Sequence, residues 1–305
     1  MAFRGFRCQE TPPELPGRND KLVTLNALVS VSWLASRLDD PKTVVLDATL
    51  PPVGVTPAVD TRGRYMERHI PGAVFFDIDE LSDHTTTLPH MLPNAEEFSR
   101  KMTELGVGDG MTVVVYEQTG VFSAPRAWWM LRTFGVRDVF LLDGGLDAWM
   151  GAGMPVESGP VHRDAAKFTA QLQTDVVKSF EQVQHMIADR AQILDARSAG
   201  RFAGTAPEPR PGLSSGHMPG ATSVPFTELA EGGRMKDADG LRDLFAAKGV
   251  DLSKPITTTC GSGVTAAVIA LGLEIAGAKQ VSLYDGSWAE YAQRPEAVIE
   301  KEEAR

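Results

Sequence analysis

The sequence predicts an α/β protein made of two tandem copies of one domain, each a mostly parallel sheet flanked by helices. Three observations predict it: chain length, an internal repeat, and short apolar runs alternating with helical patterns inside each repeat. At about 150 residues per domain, 305 residues make two domains, each long enough to bury its own core. The run VVLDA at Val44–Ala48 returns as QILDA at Gln192–Ala196, and HIPGA at His69–Ala73 returns as HMPGA at His217–Ala221. The aspartate precedes the histidine by 22 residues in both copies (47 to 69, 195 to 217), which reads as a preserved register. A third pair closes each copy, Leu142–Gly145 (LDGG) against Tyr284–Ser287 (YDGS). Such repetition marks a duplicated domain.

In the first copy, Thr43–Leu46, Val74–Phe76, Thr112–Tyr116 and Val139–Leu142 are short apolar runs of the buried-strand kind. Glu96–Leu105 and Arg126–Phe134 carry the three-to-four spacing of helices. In the second copy the strand places fall to Gln192–Asp195, Thr222–Pro225, Pro255–Thr259 and Gln280–Tyr284, and the helical ones to Leu241–Lys248 and Thr265–Ala276. Alternation in this order builds a parallel sheet. Gly151–Asp164 is rich in Gly and Pro without periodicity and reads as a linker. The expected organisation is a leader over 1–21, a first domain over 22–150, a linker over 151–164, a second domain over 165–293 and a charged tail over 294–305.

Lys and Arg total 30 against 40 for Asp and Glu, a formal charge of −10. That balance disfavours a nucleic-acid groove. The uncharged stretch Gly261–Leu273 is short of the roughly 18 apolar residues of a membrane span, so no membrane partner is expected. The leader has no continuous apolar region of secretory length. The expected compartment is the cytoplasm, with a mitochondrial leader as the alternative. Two cysteines, Cys8 and Cys260, make neither a disulfide framework nor a zinc cluster. No metal and no cofactor is expected.

The chemistry concentrates where the strand ending at Thr259 runs into Cys260, Gly261, Ser262, Gly263, Val264 and Thr265 and then into an apolar helix. Ligands bind at the carboxyl ends of strands in open parallel sheets. The unpaired N–H groups of a helix start favour an anion there, and a thiolate is the nucleophilic form of cysteine. The two glycines let the backbone curl around the sulfur. A buried, inert cysteine is the competing reading. The matching turn of copy one, Glu117–Phe122, has no cysteine, so the second copy is expected to be the working one.

From about Leu22 to Tyr291 the chain resembles the rhodanese family of tandem sulfurtransferases. Tyr65 followed after three residues by HIPGA is similar to the family's amino-terminal signature, and VSLYDGSWAEY at Val281–Tyr291 to its carboxyl-terminal one. The loop CGSGVT resembles the branch that uses 3-mercaptopyruvate. The thiosulfate branch carries Arg and Lys after the cysteine, where this chain has Gly261 and Ser262. Thiosulfate is a compact dianion that needs cations in the loop itself, whereas mercaptopyruvate holds its carboxylate farther from the sulfur, within reach of cations on another segment. The resemblance implies sulfur transfer from 3-mercaptopyruvate to Cys260 as a persulfide, release of pyruvate, and discharge to thioredoxin, glutathione, another small thiol or cyanide. It implies that Arg201 and Arg210, flanking FAGTAPEP, bind the keto acid beside Gly261, Gly263, Val264 and Thr265. It also implies a proton relay from Ser262 through His69 and Asp60, although His69 sits in a repeated turn and suits a structural role equally. The alternatives are a thiosulfate sulfurtransferase and a non-catalytic binding module. A cysteine phosphatase needs an arginine six residues after its cysteine, where this chain has Ala266. Tandem copies that pack face to face within one chain favour a monomer.

Overall fold

The computed structural model describes residues 27–55 and 57–302; the expected leader with Cys8, and the last three residues of the tail, lie outside the described residues. The first copy runs β1 (Leu28–Val29), α1 (Val31–Ala35), β2 (Thr43–Asp47), α2 (Thr61–Glu67), β3 (Val74–Phe75), α3 (Ala95–Glu104), β4 (Thr112–Tyr116), α4 (Ala124–Thr133), β5 (Val139–Leu142) and α5 (Gly145–Gly151). The second runs β6 (Val177–Lys178), α6 (Phe180–Ala188), β7 (Gln192–Asp195), α7 (Ala199–Ala203), β8 (Thr222–Ser223), a hairpin β9 (Ala230–Glu231) and β10 (Arg234–Met235), α8 (Ala238–Ala247), β11 (Ile256–Thr259), α9 (Ala266–Ala276), β12 (Val281–Tyr284) and α10 (Ser287–Tyr291). The two five-stranded sheets have matching orders, β1-β5-β4-β2-β3 and β6-β12-β11-β7-β8. Every pairing in them is parallel.

Most central strands fall where the apolar runs place them, since strands buried on both faces are mostly apolar; β11 is the exception, fully buried although three of its four residues are threonine. The two-residue edge strands β1 and β6 leave no pattern to read. Helix starts shift by a few residues for a local reason. Asn94 caps α3 by accepting from Glu97 N, and Asp237 caps α8 by accepting from Gly240 N, so each helix begins right after its cap and ahead of its first buried residue, Phe98 or Leu241.

The equal spacing of 22 residues conceals two unequal halves, and the register read from it does not hold. His69 stacks on Tyr65, four residues earlier, with Nδ1 at 2.8 Å from the Tyr65 carbonyl. His217 stacks on Phe202, 15 residues earlier, with Nδ1 at 2.9 Å from its carbonyl. Aromatic and histidine are therefore the true counterparts. Copy two has lengthened the stretch between them into an arm that carries Glu208 and Arg210, while copy one has its extra residues before α2. Residues 166–173 hydrogen-bond to the first copy, with Ala170 N on Ser99 Oγ (2.9 Å) and Gln173 N on the Thr133 carbonyl (2.8 Å), and Phe168 packs edge-on to Phe98.

One apolar core runs through both copies. Helix α4 is buried along nearly its whole length and α9 is apolar apart from Glu274, the signature of a helix packed between layers. Trp128, Trp129 and Met130 of α4 belong to the same buried cluster as Val264, Ala267 and Leu271 of the second copy. Arg132 of α4 also pairs with Glu274 of α9.

Strand pairing sets Asp47 beside Tyr116 and Asp195 beside Thr259, so Glu117 stands in the place of Cys260. The Glu117 carboxylate folds back into its own loop and accepts from Phe122 N (2.7 Å), Ser123 N (3.1 Å), Ala124 N (3.2 Å) and Ser123 Oγ (3.2 Å). Copy one thus fills its anion nest with an internal carboxylate that caps α4. Burial pushes the Glu117 carboxyl up to about 7, against the pull of these donors.

Two outcomes follow from the packing and this buried acid. Phe98 is fully buried and stacks on Phe134 at 4.1 Å, so Phe98→Ala should cost about 3–5 kcal/mol. Because the core is shared, calorimetry should show the variant's whole transition shifted rather than one domain melting alone. A carboxyl raised on folding from 4.5 to about 7 binds its proton more tightly when folded, so its contribution to stability is present at low pH and is lost as pH rises through that interval. Urea titrations should give Glu117→Gln a shallower pH dependence between those values than the parent protein.

Candidate active site

Cys260 lies where β11 ends and α9 is about to begin, only 2% exposed. The closing signature pins its loop from beneath. Trp288 N donates to the Cys260 carbonyl and Ala289 N to the Gly261 carbonyl, both at 2.9 Å. Ser287 takes the left-handed φ of 49°, a conformation that costs a side-chain-bearing residue. Its hydroxyl offsets that by accepting from Cys260 N (3.3 Å) and donating to the Tyr284 carbonyl (2.8 Å). The glycines have separate reasons. A Cβ on Gly261 would come within 2.9 Å of Arg201 Nη2, so glycine lets a guanidinium lie against the loop. Gly263 turns the chain at φ +80°, and a Cβ there would come within 2.9 Å of Arg126 Nη1. Val264 is buried in the core and Thr265 is the N-cap position of α9 without a side-chain cap bond.

Arg201 and Arg210 both reach this loop, held in different ways. Arg201 ends a chain of buried charges. Asp195 holds Arg197, whose guanidinium lies 3.9 Å over the Trp288 ring; Arg197 Nη1 donates to Glu208 Oε1 (2.7 Å), and Arg201 Nε donates to Glu208 Oε2 (3.1 Å). Glu208 thus anchors the arm and orients Arg201. Arg210 has no carboxylate within ion-pair distance among the described residues. Its Nη2 donates to Ser262 Oγ at 3.3 Å. Burial pulls its guanidinium down from the usual value, and the charge of Cys260 is the largest opposing cause. Arg210 is a cation aimed at the cysteine loop.

The hydroxyl of Ser262 meets a histidine of the first copy, and it is His90. His90 Nδ1 is 2.9 Å from Ser262 Oγ, and His90 Nε2 is 3.0 Å from Asp79 Oδ1. The hydrogen bond to His90 lowers the Asp79 carboxyl below the usual value. His90 is itself buried and holds the left-handed φ of 59°. The loop between β3 and α3 that carries both residues crosses to the second copy, where Leu92 N donates to Asp285 Oδ2 at 2.8 Å.

His69 and Asp60 do not form the expected relay with Ser262. His69 is fully buried, exchanges backbone hydrogen bonds with Glu157 (2.8 and 2.9 Å) and stacks on Tyr65. His217 does the same with Glu300 and Phe202 in the other copy. A histidine that makes the same contacts in both copies serves the fold. Asp60 caps α2 by accepting from Gly63 N at 2.7 Å. His90 and Asp79 were missed because they lie outside every repeated motif, in a stretch with no regular element. That was the available signal: a histidine between Pro89 and Pro93 with no counterpart in copy two cannot owe its place to the duplicated fold.

No helix among the described residues is long and apolar enough to cross a membrane. The sequence profile described as Rhodanese-like domain matches residues 30–152 and 179–294. The chain is 47% identical over 285 residues to a protein of Mus musculus named 3-mercaptopyruvate sulfurtransferase, with 90% of this chain and 95% of that protein covered. It is 43% identical over 281 residues to a thiosulfate sulfurtransferase of Rattus norvegicus, covering 89% and 94%. The crystal structure of SseA from Escherichia coli, described as showing the rhodanese fold of 3-mercaptopyruvate sulfotransferases, superposes with a TM-score of 0.80 at 44% identity, covering 87% of this chain and all of that one. Two matched domains, two like sheets and these relatives lead to one statement: the chain belongs to the rhodanese family, as a tandem pair of rhodanese-like domains.

Proposed function

We propose that this protein is a 3-mercaptopyruvate sulfurtransferase working through a persulfide on Cys260. The observation that carries the reading is the placement of charge. The loop from Cys260 to Thr265 has no cation of its own, while Arg210 reaches Ser262 and Arg201 lies against Gly261 from a separate arm. That spacing suits a donor whose carboxylate stands several bonds from its transferable sulfur. Gly261, Gly263, Val264 and Thr265 shape the loop around the donor.

The Cys260 thiolate attacks the donor sulfur. The S–S bond forms as the carbon–sulfur bond breaks, and the bonding pair passes to carbon, giving the enolate of pyruvate. Guanidinium groups of Arg201 and Arg210 hold the carboxylate and balance the charge developing on the enolate oxygen. Ser262 hands a proton to the enolate carbon. His90 restores it and Asp79 holds the imidazole. The Asp79 side chain is 60% exposed, so the relay ends in water. An acceptor thiol such as thioredoxin or glutathione, or cyanide, then takes the outer sulfur and frees the Cys260 thiolate. The packing of α4 on α9 joins the two copies within one chain, which supports a monomer, and we place the enzyme in the cytoplasm.

Steady-state sulfur transfer with 3-mercaptopyruvate and with thiosulfate, run in parallel, tests the reading. A kcat/KM strongly favouring mercaptopyruvate, lost in Cys260→Ser, with one sulfur atom gained on Cys260 by mass analysis, is the expected outcome. Preference for thiosulfate would overturn the donor assignment, and no transfer from either donor would favour a binding module. Arg210→Ala should lose about 1.5–3 kcal/mol of binding to the charged donor, read as a KM for mercaptopyruvate raised roughly 10- to 100-fold. Discharge of a preloaded persulfide to cyanide should change little.

A further inference from the structure

We propose that Arg126 is a positioning residue for the sulfur-transfer step: its guanidinium locks the His90 loop of the first copy onto the cysteine loop of the second and so sets the Ser262–His90 contact. The inference rests on the reading of His90 as the relay histidine. Arg126 lies on the first turn of α4 and is fully buried. A buried cation is tolerated only where its partners are fixed, and these partners all surround the site. Nη2 donates to the His90 carbonyl and stands 2.8 Å from Asp285 Oδ1, while Nη1 donates to the Gly263 carbonyl at 3.4 Å. The guanidinium carbon sits 4.7 Å over the Trp129 ring, which fixes its plane.

Both carbonyls gripped by Arg126 belong to residues in the left-handed region, His90 at φ 59° and Gly263 at φ +80°. One precedes the turn into the Leu92–Asp285 hydrogen bond, and the other follows Ser262 directly. One planar fork therefore fixes the backbone on both sides of the Ser262–His90 contact. Asp285 completes the clamp by facing Arg126 with one oxygen and accepting from Leu92 N with the other.

Burial sets this pair apart from its counterpart in copy one. The counterpart of Asp285 in copy one, Asp143, also takes an arginine from the opposite copy, Arg234 at 2.7 Å. That pair is 50% and 26% exposed, an ordinary surface contact. The Arg126–Asp285 pair is 0% and 4% exposed and lies against the cysteine loop.

A double-mutant cycle on the full-length protein tests the proposal, reading single-turnover persulfide formation from mercaptopyruvate. Arg126→Lys keeps a buried cation but cannot fork to two carbonyls. It should slow persulfide formation at least about 10-fold with KM changed less than about twofold, and leave discharge of a preformed persulfide to cyanide at the parent rate. His90→Ala should slow the same step, and adding Arg126→Lys to it should cost almost nothing more, because the arginine acts through the histidine. The parent rate in Arg126→Lys, the same loss in both backgrounds, or equal loss in discharge overturns the proposal and leaves the relay standing. A parent rate in His90→Ala overturns the relay itself, and this inference with it. Should Arg126→Lys fail to fold, Asp285→Asn, which frees the fork from its counter-charge, carries the same cycle and the same readouts.

Discussion

Helix α4 of the first copy packs along α9 of the second, and the working loop depends on that contact. Both helices start at the carboxyl edge of their sheets, one behind Glu117 and the other behind Cys260. Pressing them together brings the two loops' surroundings into one buried region. Ser262, on the second copy, then finds its histidine on the first, and Gly263 and Asp285 find Arg126. Neither half alone holds this set of groups. Duplication here is a way of assembling a site from two surfaces that no single domain of this size presents.

The pair Glu117 and Cys260 shows how one loop geometry serves two ends. In both copies the strand stops, the backbone curls, and a helix start turns its N–H groups inward, an arrangement that favours an anion. Copy one supplies the anion from its own side chain, tied by Phe122, Ser123 and Ala124. Copy two supplies a compact sulfur instead, with Arg201 and Arg210 beside its loop. The long Glu117 side chain reaches back to its own loop amides, whereas the one-carbon thiol of Cys260 is too short to do so.

Charge around the loop is graded. Arg197 is committed to Asp195 and Glu208 and stiffens the arm, while Arg201 is oriented by Glu208 with its guanidinium against Gly261. Arg210 has no carboxylate paired to it among the described residues and donates to Ser262 Oγ instead. The committed pairs make the free one precise in position, since an arm without Glu208 would hold neither arginine against the glycines.

The sequence by itself determined the duplication, the parallel α/β class, the central strands and the placement of Cys260 at a strand end before a helix. Those follow from local pattern, because burial on both faces of a strand writes an apolar run, and a glycine loop before an apolar helix needs no distant partner to be recognised. It did not determine which histidine meets Ser262. His69 carried a motif and His90 carried none. Yet the motif repeats at His217 with the same stacking and the same backbone exchange, so repetition marked the fold rather than the chemistry. The spacing of 22 likewise misled, since equal totals were spent on different segments of the two copies. Only the tertiary structure decided the membership of the site, because His90, Asp79 and Arg126 reach the cysteine loop from another domain. Contacts across a domain boundary leave no periodicity in the chain; they exist only once α4 and α9 have packed.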